Sequence, residues 1–468
     1  MAIESAEDGS VTVLTRWEDV RVDPPTPAIK ETLHRMTLGP VALTNVADLV
    51  CDDVHDLFLR LPGCVVCSLC LPDSPTPLLS ATPVSPRDTF EPPELAAGAR
   101  IRLSRFAFLR VHDGELLVES PLSHHQVALH RPLASWVVGS LARPTTCAEV
   151  ANRVNVAEPL VEEIVAFLAA ADIVVVGDVE PDTAEPSARP GAPRFAEDTD
   201  PALLAWSPHE LLFHSRTRLG RHDGPAGAVF RHVGRLPPLP AVKPPPDGPR
   251  FPLYEPDLTT ASNDMSLTEA IEGRRSVRHF ADEGPSLEQL GELLYRSARV
   301  RSQTEILGAG LVNYTVTERP YPSAGSLYEL DLYLTIDRCA GLPRGIYHYD
   351  PQGHALTLVN ENQAHTDELL DNAMMLAGAR RRPPTLITMT ARLGRLSWVY
   401  DGISYTTALK HVGVLQQTLY LVATMLGLAP CALAMGDSEV ATAAFDLDWP
   451  AEVSVGEFVV GLPAKTPD

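Results

Sequence analysis

The densest basic run of the chain, Arg274-Arg-Ser-Val-Arg-His-Phe280, is the first segment whose residue types could do chemistry. Three arginines and a serine hydroxyl lie within five residues. Guanidinium groups bind phosphate oxygens through paired hydrogen bonds, and a hydroxyl adds a further donor. The run therefore predicts a site for a dianionic phosphate. From the residues alone, a solvent-exposed basic turn is an equal alternative.

A second segment, Tyr321-Pro-Ser-Ala-Gly-Ser326, leads directly into the alternating pattern of Leu330–Ile336. Small residues allow a backbone to lie close to a flat ligand and to present its N–H groups to that ligand. The segment predicts the lining of a planar ligand, or else a plain tight turn before a strand.

The composition restricts the possible partners. Lys and Arg total 38 and Asp and Glu total 60, so the formal net charge is −22. Such a surface repels a phosphate backbone, so nucleic acid is not an expected partner. The longest apolar runs fall well short of the ~20 residues of a membrane span, and no secretory signal is apparent. We therefore expect a cytoplasmic protein that does not bind membranes.

The seven cysteines are typical of reduced thiols in a large cytosolic chain. Cys64, Cys67 and Cys70 form a CxxCxxC cluster downstream of Cys51. The cluster lacks a second ligand pair, and the apolar residues between its members are equally natural in a buried segment. No metal site is predicted, although the spacing leaves the function of this cluster open.

Proline-rich stretches at 72–93, 181–201 and 237–256 divide the chain. Because proline disfavours regular structure in its neighbours, these stretches are the expected joints. The predicted domains are an N-terminal α/β region at 1–95, a compact module at 96–180, a connector at 181–258 and a C-terminal domain at 259–468.

The module at 96–180 has the pattern of a hairpin and three helices. Phe108–Glu119 alternates around a His112-Asp-Gly turn, Thr146-Cys-Ala-Glu149 is a capping box, and Leu160–Ala171 has helical period. The combination predicts a winged-helix unit. Its third helix carries Glu residues and no basic residue, which excludes a DNA reader. A peptide-binding module and a purely structural one are equally compatible with the pattern.

The C-terminal domain is predicted to be α+β, with a mixed sheet flanked by helices. Strands are expected at Leu330–Ile336, Gly345–Asp350, His354–Val359 and Pro384–Ala391. Apolar residues from Ala408 to Leu426 recur at helical period until Gly427, which predicts a long covering helix.

Four motifs in this order resemble the nitroreductase superfamily, and more narrowly its SagB-type azoline dehydrogenases. The motifs are Arg274–Phe280, Tyr321–Ser326, Gly345–Tyr349 and Gln416–Cys431, and they extend over about 200 residues. The Trp206–Arg218 segment is similar to the N-terminal region of such oxidases. Their leader-peptide-recognition modules resemble the predicted module at 96–180.

The resemblance implies a homodimer with two FMN sites at the subunit interface. The residues that match the cofactor-binding motifs fall into three groups. The groups are Arg274, Arg275, Ser276 and Arg278 for the phosphate or ribityl chain; Pro322, Ser323, Ala324, Gly325 and Ser326 for the isoalloxazine ring; and Gly436 and Asp437 where the chain returns to the cofactor.

The reaction implied is oxidation of thiazolines or oxazolines in a precursor peptide to thiazoles or oxazoles, with dioxygen as the acceptor and a heterocycle-forming cyclodehydratase as an expected partner. Many SagB-type enzymes carry a Lys-Tyr pair just before the long helix. In this chain Val399 occupies the position of that lysine. Tyr400, Tyr405 and His411 are the candidate catalytic residues. A phenol acts as a base only if nearby cations such as Arg395 or Lys410 lower its pKa, whereas imidazole titrates near neutrality.

Two further functions remain open at this stage. An NAD(P)H-dependent reductase of nitro or quinone compounds would use the same flavin domain. A flavin-less scaffold of a peptide-modifying complex would explain the loss of the lysine. The N-terminal half, which a free-standing reductase would not need, favours the azoline dehydrogenase.

Overall fold

In this computed structural model, the described residues are 2–15, 17, 19–42, 45–46, 57–58, 61, 63–71, 74, 76–87, 90–177, 194–222, 224, 227–259 and 264–464. The chain forms two compact units, Met1–Gly224 and Pro225–Asp468. Over these described ranges, every helix is too short or too polar to span a bilayer.

The N-terminal unit begins with a small antiparallel sheet of β1 (Ala2–Ser5), β2 (Val11–Leu14) and β3 (Asp19–Val22), followed by helix α1 (Pro27–Leu38). Proline at the first helical position and the Thr26 side chain, which accepts from the Ile29 N–H, define the start of the helix. After the helix, the Asn45 N–H donates to the Ala42 carbonyl.

A five-stranded antiparallel sheet forms the centre of this unit. Its strands are β4 (Cys67–Cys70), β5 (Pro77–Pro83), β7 (Phe108–His112), β8 (Glu115–Glu119) and β9 (His125–Leu129), in the order β4-β5-β9-β8-β7. The predicted hairpin is confirmed. Asp113 and Gly114 both have positive φ, 48° and 83°, as a two-residue hairpin turn with right-handed strand twist requires.

The three predicted helices pack against this sheet as α2 (Pro132–Ser140), α3 (Cys147–Val154) and α4 (Glu158–Ala170). The Thr146–Glu149 capping box forms as expected. The winged-helix assignment is not confirmed, because the hairpin is an integral part of the larger sheet. Apolar side chains such as Val118 are fully buried there, and β8 pairs with β9. A separate strand pair, β6 (Arg100–Leu103) with β10 (Val174–Gly177), flanks the helices.

The end of the N-terminal unit is packed, although it was predicted to belong to a connector. Helices α5 (Pro201–Leu204) and α6 (Pro208–Arg216) follow a short 3-10 turn at Ala196–Asp198. In that turn, the buried Glu197 carboxylate accepts hydrogen bonds from the Arg102 guanidinium, the Ser104 hydroxyl and the Arg105 N–H. This part of the predicted connector is therefore wrong, since a buried, fully paired carboxylate ties it to the module before it.

The cysteine cluster shows no metal geometry in the part of the chain that is described. Cys64 and Cys67 are half-buried and Cys70 is exposed, whereas Cys51 lies outside the described residues. No group of three His, Cys, Asp or Glu side chains is arranged to hold a metal ion within those residues.

The C-terminal unit is built on a seven-stranded sheet with the order β12-β17-β16-β15-β18-β21-β20. Its strands are β12 (Arg250–Pro252), β15 (Leu330–Ile336), β16 (Gly345–Asp350), β17 (Ala355–Asn360), β18 (Thr385–Arg392), β20 (Ala429–Leu433) and β21 (Glu452–Gly461). The predicted mixed sheet is antiparallel in every described pair, because each connection reverses the chain direction.

Helices cover both faces of this sheet, which makes the unit α+β as predicted. They are α7 (Leu267–Gly273), α8 (Leu287–Ala298), α9 (Gln363–Ala377), α10 (Leu393–Ser397), α11 (Ser404–Met425) and α12 (Ser438–Phe445). The larger core joins α8 and α11 to the face that carries Leu332 and Ile387, and a smaller core joins α9 and α12 to the opposite face.

Two short strand pairs complete this unit beside the sheet. The hairpin of β13 (Ser302–Gly308) and β14 (Val312–Glu318) projects before the Tyr321–Ser326 motif, and β11 (Gly227–Ala228) pairs with β19 (Tyr400–Asp401).

The proline-rich segment 236–243, which we call the strap, belongs to the C-terminal unit, so the predicted boundary at 258 is wrong. Proline has no backbone N–H group, so a proline-rich segment has fewer donors than carbonyl acceptors. Its carbonyl oxygens need donors from elsewhere. The unit supplies donors to them: the Trp398 indole to the Leu236 carbonyl at 2.9 Å, and Arg392 to the Pro240 carbonyl at 2.9 Å. Lys243 extends from the strap to Glu452 and to the Tyr333 hydroxyl.

Candidate functional site

The basic turn follows α7, which begins with the Ser266–Glu269 capping box and ends at Gly273. Backbone bonds fix the turn to the sheet: the Val277 N–H donates to the Pro430 carbonyl, and the Ala281 N–H donates to the Leu462 carbonyl. The Ser276 hydroxyl lies 2.7 Å from the Tyr420 hydroxyl, which also accepts the Ala432 N–H.

The arginines of this turn fit a phosphate. Arg274 lies 5.0 Å from the centre of the Tyr420 ring, and Arg275 bonds only carbonyls of its own turn. Among the described residues, neither of them nor Arg278 forms an ion pair with a carboxylate, although acidic residues are in excess. Unpaired guanidinium groups in an acidic protein are available to an external anion. Arg278 also lines an open groove of about 800 Å³.

The Tyr321–Ser326 motif forms a tight 3-10 turn at Ala324–Ser326. Positive φ angles recur in and after it, at Gly325 (59°), Ser326 (54°) and Tyr328 (47°). The Ser323 hydroxyl accepts the Tyr328 N–H at 3.0 Å, and the Ser323 carbonyl accepts the Ser326 N–H at 3.1 Å. The predicted small-residue turn therefore exists, and its bends are fixed by its own serine.

A buried histidine holds the start of this turn. The Ala324 N–H donates to Nε2 of His411 at 2.9 Å, and Nδ1 of His411 lies 2.8 Å from the Glu329 carboxylate. His411 is 6% exposed and Glu329 is completely buried. Both ring nitrogens are therefore occupied, which makes His411 an anchor of the turn and removes it from the candidates for a free base.

A buried arginine holds the end of the turn. Arg395 is 2% exposed and donates to the carbonyls of Leu327, Leu239 and Thr315 at 2.8 to 3.1 Å. Burial, with smaller contributions from Arg392 and Arg319, lowers the pKa of Arg395 to about 10. Its planar fork thus joins the turn, the strap and β14 at one point.

The Tyr400 hydroxyl lies against Gly325. A Cβ atom added to Gly325 would be 2.9 Å from the Tyr400 oxygen, so only glycine leaves room for the phenol at this point. Burial raises the pKa of Tyr400 above its usual value. The hypothesis that Arg395 or Lys410 lowers this pKa is wrong, because Arg395 is committed to carbonyls and Lys410 is exposed. The Tyr400 hydroxyl therefore keeps its proton at neutral pH.

Val399 and Tyr405 lie close to Tyr400 in the sequence and differ in burial. Val399 is 3% exposed and packs in the larger core, so a lysine at this position would have to be accommodated there. Tyr405 lies in the first turn of α11 and is 44% exposed. Of the three catalytic candidates, the structure brings Tyr400 and His411 to the turn.

Gly436 and Asp437 have local structural roles at the end of β20. Asp437 is the N-cap of α12 and accepts the N–H groups of Glu439 and Val440. A Cβ on Gly436 would overlap a carboxylate oxygen of Glu457. Asn372, Thr388 and these three residues line one small cavity, and the buried Thr388 hydroxyl has no partner among the described residues. A contact of Gly436 or Asp437 with a cofactor stays a prediction.

Glu457 should make the stability of the protein depend on pH. Burial raises the pKa of Glu457 from 4.5 to about 7. Between pH 4.5 and 7 the folded state retains a proton that the unfolded state loses, so stability falls as the pH rises, by about 3 kcal/mol over this window. Glu457→Gln should abolish that fall in urea-unfolding series at pH 4.5 to 7.5. Glu305→Gln, at an exposed position, is the control, and equal pH slopes in both variants would contradict the prediction.

The two parts of the candidate site contact opposite faces of α11. His411, which holds the Tyr321–Ser326 turn, and Tyr420, which bonds Ser276 of the basic turn, are nine residues apart. At 3.6 residues per turn this separation is about 180° around the helix. Within one chain, the helix therefore lies between the basic turn and the Tyr321–Ser326 turn.

The sequence did not indicate several residues on which this site depends. Neither Glu329 nor Glu457 was singled out, and Arg395 was considered only for its charge. Two arginines directly after the predicted strand Pro384–Ala391, as in Thr390-Ala-Arg-Leu-Gly-Arg395, are the signal that could have drawn attention to a buried guanidinium.

Comparison with known proteins gives two family matches. Residues 101–223 match the sequence model of the cyanobactin oxidase ThcOx, and residues 271–462 match that of the nitroreductase family. A provisionally named nitroreductase of Methanocaldococcus jannaschii is 25% identical over 182 residues, which is 38% of this chain and 83% of that protein.

Solved structures give similar matches. One is a provisionally named nitroreductase of Ralstonia eutropha, with 23% identity, coverage of 49% of this chain and 100% of that chain, and a TM-score of 0.37. Another is the Escherichia coli microcin synthetase McbBCD complex with truncated pro-MccB17 bound, with 20% identity, coverage of 57% and 95%, and a TM-score of 0.34.

The family matches cover the segments in which the motifs were found. The basic turn, the Tyr321–Ser326 turn and the long helix all lie inside the nitroreductase match, and the hairpin and three helices lie inside the cyanobactin oxidase match. The C-terminal unit therefore has a nitroreductase-like fold, and residues 101–223 are similar to a cyanobactin oxidase.

Proposed function

We propose that this protein is an FMN-dependent dehydrogenase that oxidises thiazoline or oxazoline rings of a ribosomally made precursor peptide to thiazoles or oxazoles. The observation that carries the proposal is the pairing of a nitroreductase domain with a 101–223 segment that matches a cyanobactin oxidase. A reductase of free small molecules has no use for that segment.

FMN fits the charges and the backbone of the C-terminal unit. The unpaired Arg274, Arg275 and Arg278, with the Ser276 hydroxyl, would bind its phosphate and ribityl chain. The Pro322–Ser326 turn would lie along its ring and donate N–H groups to its polar edge. Bound FMN would supply a two-electron acceptor for the hydride lost from the azoline, with dioxygen as the final electron acceptor.

Tyr400 would act on the substrate ring as a protonated phenol. Its raised pKa keeps the hydroxyl neutral, and its place against Gly325 brings it to the segment proposed to line the cofactor. A hydrogen bond from this hydroxyl to the azoline nitrogen would withdraw electron density and acidify the ring C–H whose proton would pass to solvent water.

A homodimer would complete the site. Because the basic turn and the Tyr321–Ser326 turn contact opposite faces of α11, one flavin is better served by the basic turn of one protomer and the Tyr321–Ser326 turn of its partner. A peptide cyclodehydratase is the expected partner enzyme, since an azoline forms when a Cys, Ser or Thr side chain adds to the preceding carbonyl with loss of water.

The visible absorption spectrum of the purified protein, followed by aerobic incubation with an azoline-bearing peptide, tests the proposal. We expect a flavin spectrum and a mass loss of two hydrogens per ring. The match to the M. jannaschii protein favours a nitro- or quinone-type reductase as the second candidate. Bound flavin that is bleached by NAD(P)H without azoline oxidation would establish the reductase activity. A colourless protein would exclude both enzymes and leave the flavin-less scaffold as the remaining function.

The double variant Arg274→Gln with Arg278→Gln should weaken FMN binding about 100-fold or more. Each arginine would contribute a charge-assisted hydrogen bond worth about 1.5 to 3 kcal/mol. Quenching of FMN fluorescence measures the dissociation constant. Arg301→Gln removes an exposed arginine from the same unit and is the matched control. Unchanged affinity in the double variant would place the phosphate elsewhere.

A further inference from the structure

The hydrogen bonds of the His411 imidazole determine which ring nitrogen carries the proton. The Ala324 N–H can only donate, so Nε2 of His411 must be the acceptor in their 2.9 Å bond. In the neutral ring the proton then lies on Nδ1, which faces the Glu329 carboxylate at 2.8 and 3.1 Å. The Glu329–His411–Ala324 chain therefore selects one tautomer and leaves no lone pair on the ring for a substrate proton.

The remaining N–H groups of the turn can be assigned one by one. The Ser326 N–H bonds the Ser323 carbonyl, the Leu327 N–H bonds the Ala324 carbonyl, and the Tyr328 N–H bonds the Ser323 hydroxyl. Over the described part of the chain, the N–H groups of Tyr321, Ser323 and Gly325 meet no acceptor. Tyr321 is buried, so the N–H groups of Ser323 and Gly325 are the backbone donors of the turn that a ligand can use.

We propose that His411, oriented by Glu329, is a positioning residue that holds the Ala324 N–H and so fixes the turn with the Ser323 and Gly325 N–H groups free for the polar edge of the flavin ring. This inference rests on the proposed function for the identity of the ligand. The anchoring of the turn itself does not depend on it. His411 thus acts through the backbone and not as an acid or a base.

Glutamine at position 411 distinguishes a positioning role from proton transfer. At position 411 its amide oxygen can accept the Ala324 N–H while its NH₂ group donates to Glu329, but it cannot transfer a proton near neutral pH. Alanine removes both bonds. Hydrogen–deuterium exchange of segment 321–328 in the flavin-free protein, and the dissociation constant of FMN, are measured for wild type, His411→Gln and His411→Ala.

We expect His411→Ala to exchange faster in this segment and to bind FMN about tenfold more weakly, because a buried N–H loses its acceptor. His411→Gln should match wild type within about threefold in exchange, affinity and azoline turnover, and should keep the wild-type pH profile. Glu329→Gln, which retains an acceptor oxygen for Nδ1, should also resemble wild type. It supplies the second test if His411→Ala fails to fold.

Two results would overturn the proposal. If His411→Gln retains exchange protection and FMN but loses turnover about 100-fold, His411 transfers protons and is catalytic. If His411→Ala leaves the exchange of segment 321–328 unchanged, the histidine does not hold the turn. Failure of the wild type to bind FMN would instead defeat the proposed function, since the exchange measurement needs no flavin.

Discussion

Replacing Arg395 by methionine is expected to lower the free energy of unfolding of the protein by about 3 kcal/mol or more. The substitution removes donors from the carbonyls of Leu327, Leu239 and Thr315, and each unpaired buried acceptor costs about 1 to 3 kcal/mol. Relief of the buried charge offsets part of that cost. Urea unfolding followed by circular dichroism measures the change.

Arg231→Met is the matched control for this variant. Arg231 is about half exposed and forms a surface ion pair with Asp401, so its loss should cost less than about 1 kcal/mol. If Arg395→Met were equally mild, the carbonyls that Arg395 binds would have found other partners, and the junction of turn, strap and β14 would not depend on this side chain.

Tyr400→Phe is expected to reduce azoline oxidation by about 100-fold or more while FMN affinity stays within about threefold. The variant removes one hydroxyl and keeps the ring that packs beside Gly325. Because burial raises the pKa of Tyr400, the group is neutral throughout pH 6 to 9, and no rise in rate through its ionisation should appear in that range. Its contribution is lost only when the pH exceeds that raised pKa.

Two other tyrosine variants make this result specific. Tyr254→Phe removes an exposed hydroxyl and should leave turnover unchanged. Tyr405→Phe tests the second tyrosine of the same region, which is largely exposed, and should cost less than about threefold. A large loss in Tyr405→Phe with a small one in Tyr400→Phe would reverse the assignment. Steady-state rates at saturating peptide provide the comparison.

The local motifs of this chain could be predicted from the sequence because each depends on a few neighbouring residues. The capping boxes at Thr146 and Ser266 formed where side-chain type and spacing required them. The strand Leu330–Ile336 has the predicted bounds. The turn at Asp113 followed from residues that tolerate positive φ.

Contacts between segments that are far apart in the sequence could not be predicted in the same way. Residues alternate along Leu330–Ile336, yet both faces of this strand are buried, and Tyr333 stacks on Phe445 of α12. The place of Arg395 depends on carbonyls 68 and 156 residues away in sequence. Periodicity describes one element at a time, so it cannot report which donor meets which acceptor across a fold.

The same limit explains the candidate site. The sequence indicated the basic turn and the small-residue turn, but left His411 as one of three candidate catalytic residues. Only the bond from Ala324 and the buried Glu329 decide its role. Likewise, the raised pKa of Tyr400 follows from burial, which a residue list does not contain.

The strap determines where the C-terminal unit can be cut from the rest of the chain. A fragment starting at residue 259 would lose β11 and β12, and with them the edge partners of β19 and β17. It would also lose the carbonyls that Trp398, Arg395 and Arg392 bind. Fragments for crystallography or domain exchange should therefore begin before Gly227, so that the proline-rich segment travels with the domain that it braces.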